Sequence, residues 1–167
     1  MQGQLEQRAG QWQLRFTRQL PHPQEKVWRA ITEPNQLKAW FPDQIVVSKW
    51  AVGTPLKFES EYGDHDGEVL AFEPPSVLEF RWGPDVLRFE LAPHAQGTVL
   101  TLIDRIDEKG KAARDAAGWH ECLDRLEHSL SGSKAATPGE VWKQVHPQYQ
   151  EQFGPEASTI GPPAPVN

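Results

Sequence analysis

The stretch from Lys109 to Leu130 reads KGKAARDAAGWHECLDRLEHSL and decides the fold. Within it Ala112, Ala116, Trp119, Leu123, Leu126 and Leu130 recur at steps of 4, 3, 4, 3 and 4. That spacing stacks side chains on one face of an α-helix. Glu121 and Arg125 lie one turn apart on its wet side. Ser131-Gly132-Ser133 ends the helix, glycine being the residue that readily turns left-handed at a C-terminus. Gly118 inside it costs about 1 kcal/mol relative to alanine. It either admits a strand or ligand to close approach or makes room beside Trp119.

Upstream the period changes from that of a helix to that of strands. Ile45–Val47, Leu56 with Phe58, Val69–Phe72, Val77–Trp82, Val86–Leu91 and Thr98–Asp104 are six short apolar or alternating runs. Turn residues separate them, such as Val52-Gly53-Thr54-Pro55, Pro74-Pro75, Gly83-Pro84-Asp85 and His94-Ala95-Gln96-Gly97. Trp12, Leu14 and Phe16 alternate with polar residues and add a strand over Gln11–Gln19. Two short helices follow that strand. The first holds Val27, Ala30 and Ile31, and the second holds Leu37, Trp40 and Phe41 and stops at Pro42. The expected class is α+β: a seven-stranded antiparallel meander wrapped around one long helix.

Beyond the long helix, Thr137-Pro138-Gly139-Glu140 has the form of a capping box. Trp142, Val145, Tyr149 and Phe153 follow at helical spacing, with Pro147 expected to kink or shorten that helix. The expected organisation is a tail over 1–10, the main domain over 11–132, a helical extension over 133–153 and a Pro-rich tail over 154–167, extended or disordered. The extension is expected to dock Trp142 and Tyr149 on the outside of the sheet or on a partner subunit, which leaves a homodimer open.

Composition excludes several classes of function. Seventeen basic against twenty-three acidic residues give a net charge of −6, which argues against nucleic acid or an anionic membrane as partner. No apolar run approaches the roughly 18 residues of a membrane span. The opening residues lack the basic and apolar regions of a secretory signal, so the expected address is the cytoplasm. Cys122 is the only cysteine, which rules out an internal disulfide; it is expected to be a buried, inert thiol.

Gly-x-Ser-x-Gly and Walker-type loops are absent. The loop beginning Asp64-His65-Asp66-Gly67-Glu68 fails as a calcium loop, because its glycine falls at the fourth place and Pro75 at the twelfth. His22, His65, His94, His120, His128 and His146 form no i, i+4 pair. Neither a metal nor a cofactor is expected.

The order of elements resembles the START-like superfamily, also called SRPBCC, helix-grip or Bet v 1-like. Within it the chain is similar to bacterial proteins related to the C-terminal domain of the heat-shock protein 90 ATPase activator. The residues that carry the likeness are the run Pro23–Thr32 with Glu33-Pro34, Trp40-Phe41, Gly67-Glu68-Val69, Glu73-Pro74-Pro75, Leu78, Gly97-Thr98, and Gly118-Trp119 with Leu123, Leu126 and Leu130. The likeness spans about Gln11 to Leu130. It implies a binding protein for a small hydrophobic molecule, with stress-response relatives. Two alternatives stand beside it: an enzyme of the polyketide cyclase or dehydratase type, with Asp104, His120 or His65 as acid or base, and a co-chaperone-like interaction module.

A sheet curled around a helix leaves an apolar space between them. The alternation assigns Leu78, Phe80 and Trp82, then Phe89, then Leu100, Leu102 and Asp104 to the inner face. With Phe58 from the sheet and Trp119, Leu123 and Leu126 from the helix they form the expected lining, and Trp40 and Phe41 stand at one mouth. Asp104 there is desolvated, with a raised pKa, unless Arg81, Arg88, His120 or a ligand satisfies it. Alternatively the strand frays and Asp104 is solvated.

Overall fold

A computed structural model describes residues 2–163. The strands are β1 (Gln4–Arg8), β2 (Gln11–Leu20), β3 (Gln44–Val46), β4 (Pro55–Glu59), β5 (His65–Glu73), β6 (Val77–Trp82), β7 (Asp85–His94) and β8 (Gly97–Ile106). The helices are α1 (Gln24–Thr32), α2 (Pro34–Leu37), α3 (Ala112–Ser131) and α4 (Glu140–Phe153), with single 3₁₀ turns at Lys109–Lys111 and Pro155–Ala157. All eight strands form one antiparallel sheet in the order β1-β2-β8-β7-β6-β5-β4-β3. From β3 to β8 it is a plain meander, as short connections favour. The helix-grip fold expected from the sequence is the fold of the chain.

The inward faces follow the period-two reading. Leu14 and Leu87 flank Asp104 across the sheet, and Phe16 and Phe89 flank Leu102. These residues are buried, as are Leu78, Phe80 and Leu100 beside them. At Gly67 an added Cβ would stand 1.9 Å from the Arg81 carbonyl oxygen and 2.7 Å from the Phe58 ring. Only glycine lets these strands close together there. Gly132 ends α3 at φ 72°, and the Ser133 N–H donates to the His128 carbonyl across 3.0 Å. The Lys26 ammonium donates to the Leu130 carbonyl at 2.8 Å, placing a cation at the negative end of the helix dipole.

Four expectations are corrected. The segment over 1–10 is not a loose tail: it supplies β1, an eighth strand, joined to β2 by a tight turn through Ala9 (φ 49°) and Gly10 (φ 79°). Its pattern Gln-Leu-Glu-Gln-Arg has one apolar residue and lies half or fully exposed at the sheet edge, so no hydrophobic period marks it. The last strand does not fray at Asp104; it runs on to Ile106, whose side chain shares the inner face.

The extension docks on the long helix of its own chain and not on the outer sheet face. It lies along α3 as one helix that continues through Pro147, with Val145 and Tyr149 buried. Glu121 is the reason for this placement. Instead of facing solvent, its Oε1 accepts the N–H groups of Gly139, Val141 and Trp142 at 2.9, 3.2 and 3.3 Å, capping donors that a helix start leaves without partners. The Pro-rich stretch is ordered at its beginning: Ala157 is fully buried and the Ile160 N–H donates to the Gly110 carbonyl at 3.1 Å. Residues 164–167 lie outside those described.

Candidate ligand cavity

A cavity of about 860 Å³ opens at one end of the grip. Its walls come from the segment after α2 (38–43), the β4–β5 connection (60–65), the β6–β7 connection (82–85), Lys111 with the N-terminal two-thirds of α3 (up to 125), the segment entering α4 (138–143) and Pro162-Pro163. The size falls within the range of small-molecule sites.

Of the residues expected to line a cavity, Trp40, Phe41, Trp82 and Trp119 do so. Phe58, Leu78, Phe80, Phe89, Leu100, Leu102, Asp104, Leu123 and Leu126 do not; each is at most 1% exposed and lies in the core behind it. The aromatic load accounts for the displacement. Rings of Phe58 and Phe80 stack at 5.7 Å, Phe80 and Phe89 at 6.2 Å, Trp40 meets Phe89 at 5.9 Å, and Phe41 meets Trp119 at 5.7 Å. This chain of contacts spans sheet to helix, so the space sits at the mouth and not between the layers.

The apolar wall of the cavity is a trio of rings. Trp82 and Trp119 meet at 5.3 Å, and Phe41 lies 6.0 Å from Trp82. The Trp82 indole donates to Asp43 Oδ2 at 2.7 Å, and His65 Nε2 lies 3.2 Å from the same oxygen. Burial pushes the Asp43 carboxyl above its usual range, while Trp82 and His65 pull the other way. A histidine whose ring is held by a carboxylate at a cavity wall can orient a proton acceptor there. His120 is elsewhere, bonded to Tyr149 on the α4 side. Cys122 reaches the cavity wall, but burial pushes its thiol up to about 12, so it is no nucleophile at neutral pH.

Gly118 also lines the cavity, and an added Cβ would meet nothing within 4 Å. No strand approaches this position, and the absence of a side chain leaves space in the cavity.

Beneath the rings lies a charged floor. The Trp119 indole N–H donates to Asp104 Oδ2 at 2.9 Å, while Asp104 Oδ1 is buried with no hydrogen-bond partner among the described residues. None of Arg81, Arg88 or His120 supplies one. Lys111 Nζ donates to Asp85 Oδ1 at 2.8 Å and lies 2.8 Å from Asp107 Oδ1; Arg114 Nε donates to Asp115 Oδ1 at 2.7 Å. Burial pushes Asp104 well above the carboxylate range, with repulsion from Asp85 and Asp115 adding to it. Burial likewise raises Asp85 to about 6 despite Lys111, and raises Asp115. Burial opposes the Lys111 ammonium, but Asp107 and Asp85 outweigh it and hold its pKa above the ordinary value.

Sequence reasoning missed Asp43, Asp85, Lys111 and Asp115, while for Gly118 it offered the close approach of a ligand as one of two readings. Asp85 read as turn chemistry, although its separation from Leu87 puts it on the inner face. Asp115 and Trp119 are one helical turn apart, a signal that was available.

The helix-grip fold, with its opening beside the long helix, defines the START-like class. The sequence model of the family described as activator of Hsp90 ATPase homolog 1-like protein matches residues 21–131, and the chain belongs to that family. Its fold is similar to that of EF2215, a conserved protein of unknown function from Enterococcus faecalis, at TM-score 0.76 and 20% identity over 90% of each chain. It is also similar to CalU16 from Micromonospora echinospora, at TM-score 0.74 and 19% identity over 91% of this chain and 97% of that one. The protein MLL2253 from Mesorhizobium loti is 29% identical at TM-score 0.63, over 73% of this chain and 98% of that one. No curated protein matches the chain in sequence. No helix among the described residues is long and apolar enough to cross a membrane.

Proposed function

We propose that this chain binds a small, largely apolar molecule in the mouth cavity, against the rings of Trp82, Trp119 and Phe41. The observation that carries the reading is Gly118. A mid-helix glycine is disfavoured by about 1 kcal/mol relative to alanine, yet here an added Cβ would meet no other element within 4 Å and would stand at the cavity wall. No other element packs against the position and no positive φ calls for glycine there, which supports a place kept open for an occupant of the cavity. The tryptophan rings supply flat apolar contact at low entropic cost, and Lys38 and Lys143 at the wall suit an occupant with a polar or anionic end.

The test uses 8-anilinonaphthalene-1-sulfonate, a flat aromatic anion, as probe. Saturable binding to the native chain is expected, lost in Gly118→Leu while the unfolding midpoint is kept or raised. Equal binding by both proteins overturns the assignment. Native mass spectrometry of gently purified protein then identifies a retained occupant by its mass.

A further inference from the structure

The floor of the cavity carries an arrangement that binding of an apolar molecule does not use. Asp85 opens β7, Asp104 lies on β8 opposite Leu87, and Asp115 lies one turn before Trp119 on α3. Asp85 and Asp104 are therefore diagonal neighbours on the inner sheet face, and α3 lays Asp115 across them. One carboxylate oxygen from each lies within 4.8 Å of the others.

Each carboxylate has one oxygen held by a protein donor: Asp85 Oδ1 by Lys111, Asp104 Oδ2 by Trp119, Asp115 Oδ1 by Arg114. The second oxygen of each takes no hydrogen bond from a described residue. For Asp104 this is a fully buried atom, Oδ1, on a side chain that water does not reach. Such an atom costs free energy unless something meets it. Donors that fix one oxygen and leave the other are how ligating carboxylates are oriented in metal sites.

Charge agrees with this geometry. Four carboxylates, counting Asp107, share two cations, Lys111 and Arg114, so with all four ionised the cluster carries two negative charges that a divalent ion would balance. We propose that Asp85, Asp104 and Asp115 bind a hard divalent cation of calcium size at the floor of the cavity. Oxygen donors alone select a hard ion over zinc or copper. Calcium takes oxygens at about 2.3–2.6 Å with loose geometry, a spacing that one oxygen from each carboxylate allows, and fills its remaining positions with water. Asp85 and Asp115 line the cavity, so those positions open onto it and the ion has a way in.

The test is calorimetric titration of the intact, chelator-stripped protein with CaCl2, repeated with MnCl2 and MgCl2. One calcium per chain is expected, with manganese accepted and magnesium weaker. Asp115→Asn, at the cavity edge, should weaken calcium binding at least about tenfold. Asp104→Asn should do the same while its near-ultraviolet circular dichroism stays native. No saturable uptake of any of the three ions up to millimolar concentration overturns the proposal, as does uptake that Asp115→Asn leaves unchanged. Either failure leaves the Gly118 test standing, because the dye does not need the ion.

Discussion

The Trp119 indole N–H donates to the Asp104 carboxylate across 2.9 Å, tying the long helix to the last strand at the floor of the cavity. Both residues are buried, Asp104 completely. One face of this contact is the apolar wall of the proposed site, and the other is the acidic cluster below it.

Replacing Trp119 separates the two contributions. Trp119→Ala deletes a large core ring and should cost about 3–5 kcal/mol. Trp119→Phe keeps most of the packing but leaves Asp104 without its donor, which should cost about 1–3 kcal/mol. Urea unfolding measures both. A loss below about 1 kcal/mol for the alanine variant would show that the ring is not part of the core.

Glu121 caps α4 with one carboxylate oxygen. Glu121→Ala should destabilise that helix by about 1–2 kcal/mol, the usual worth of a lost cap. Hydrogen exchange should show α4 amides losing protection while those of β7 and β8 keep theirs. Unchanged protection in α4 would mean that the cap is not what holds it.

Acidification should loosen the same region. The Tyr149 hydroxyl accepts the Gly3 N–H at 2.8 Å, and its oxygen lies 2.8 Å from His120 Nδ1. Burial lowers the His120 pKa; Asp124 and Glu127 pull it up, and Arg18 pushes it further down. With the folded value below the unfolded value of about 6.5, the fold favours the neutral ring. Its contribution is whole above about pH 6.5 and is lost as pH falls through the folded value. His120→Asn should therefore lose less stability than the native chain between pH 7.5 and 5.5, as read from urea midpoints. Equal losses would contradict the latch.

Gly118→Ala should stabilise the chain by up to about 1 kcal/mol, since the added methyl gains helix propensity and meets no neighbour. A thermal melt lower than that of the native chain would show that the position is packed.

The fold was legible because its inner faces keep strict period. Leu100, Leu102 and Asp104 on one strand, and Trp119, Leu123 and Leu126 on the helix, point where alternation and helical spacing place them. β1 was not legible, since an edge strand with Leu5 as its single apolar residue carries no hydrophobic period. The site was legible only in part. Trp40, Phe41, Trp82 and Trp119 are found at its wall, but periodicity marks burial and does not say which buried rings touch one another and close the interior. Asp43, Asp85, Lys111 and Asp115 come from turns and separate elements, and only the register of β7 with β8 and the lie of α3 bring them together.

The central claim, an apolar ligand at the mouth of the grip, is tested most directly by nuclear magnetic resonance titration of the labelled protein with 8-anilinonaphthalene-1-sulfonate. The account predicts shifts concentrated on the indole N–H groups of Trp82 and Trp119 and on the Gly118 amide. Shifts centred on the Leu20–Gly97 end of the sheet, or no saturable shifts, would contradict it.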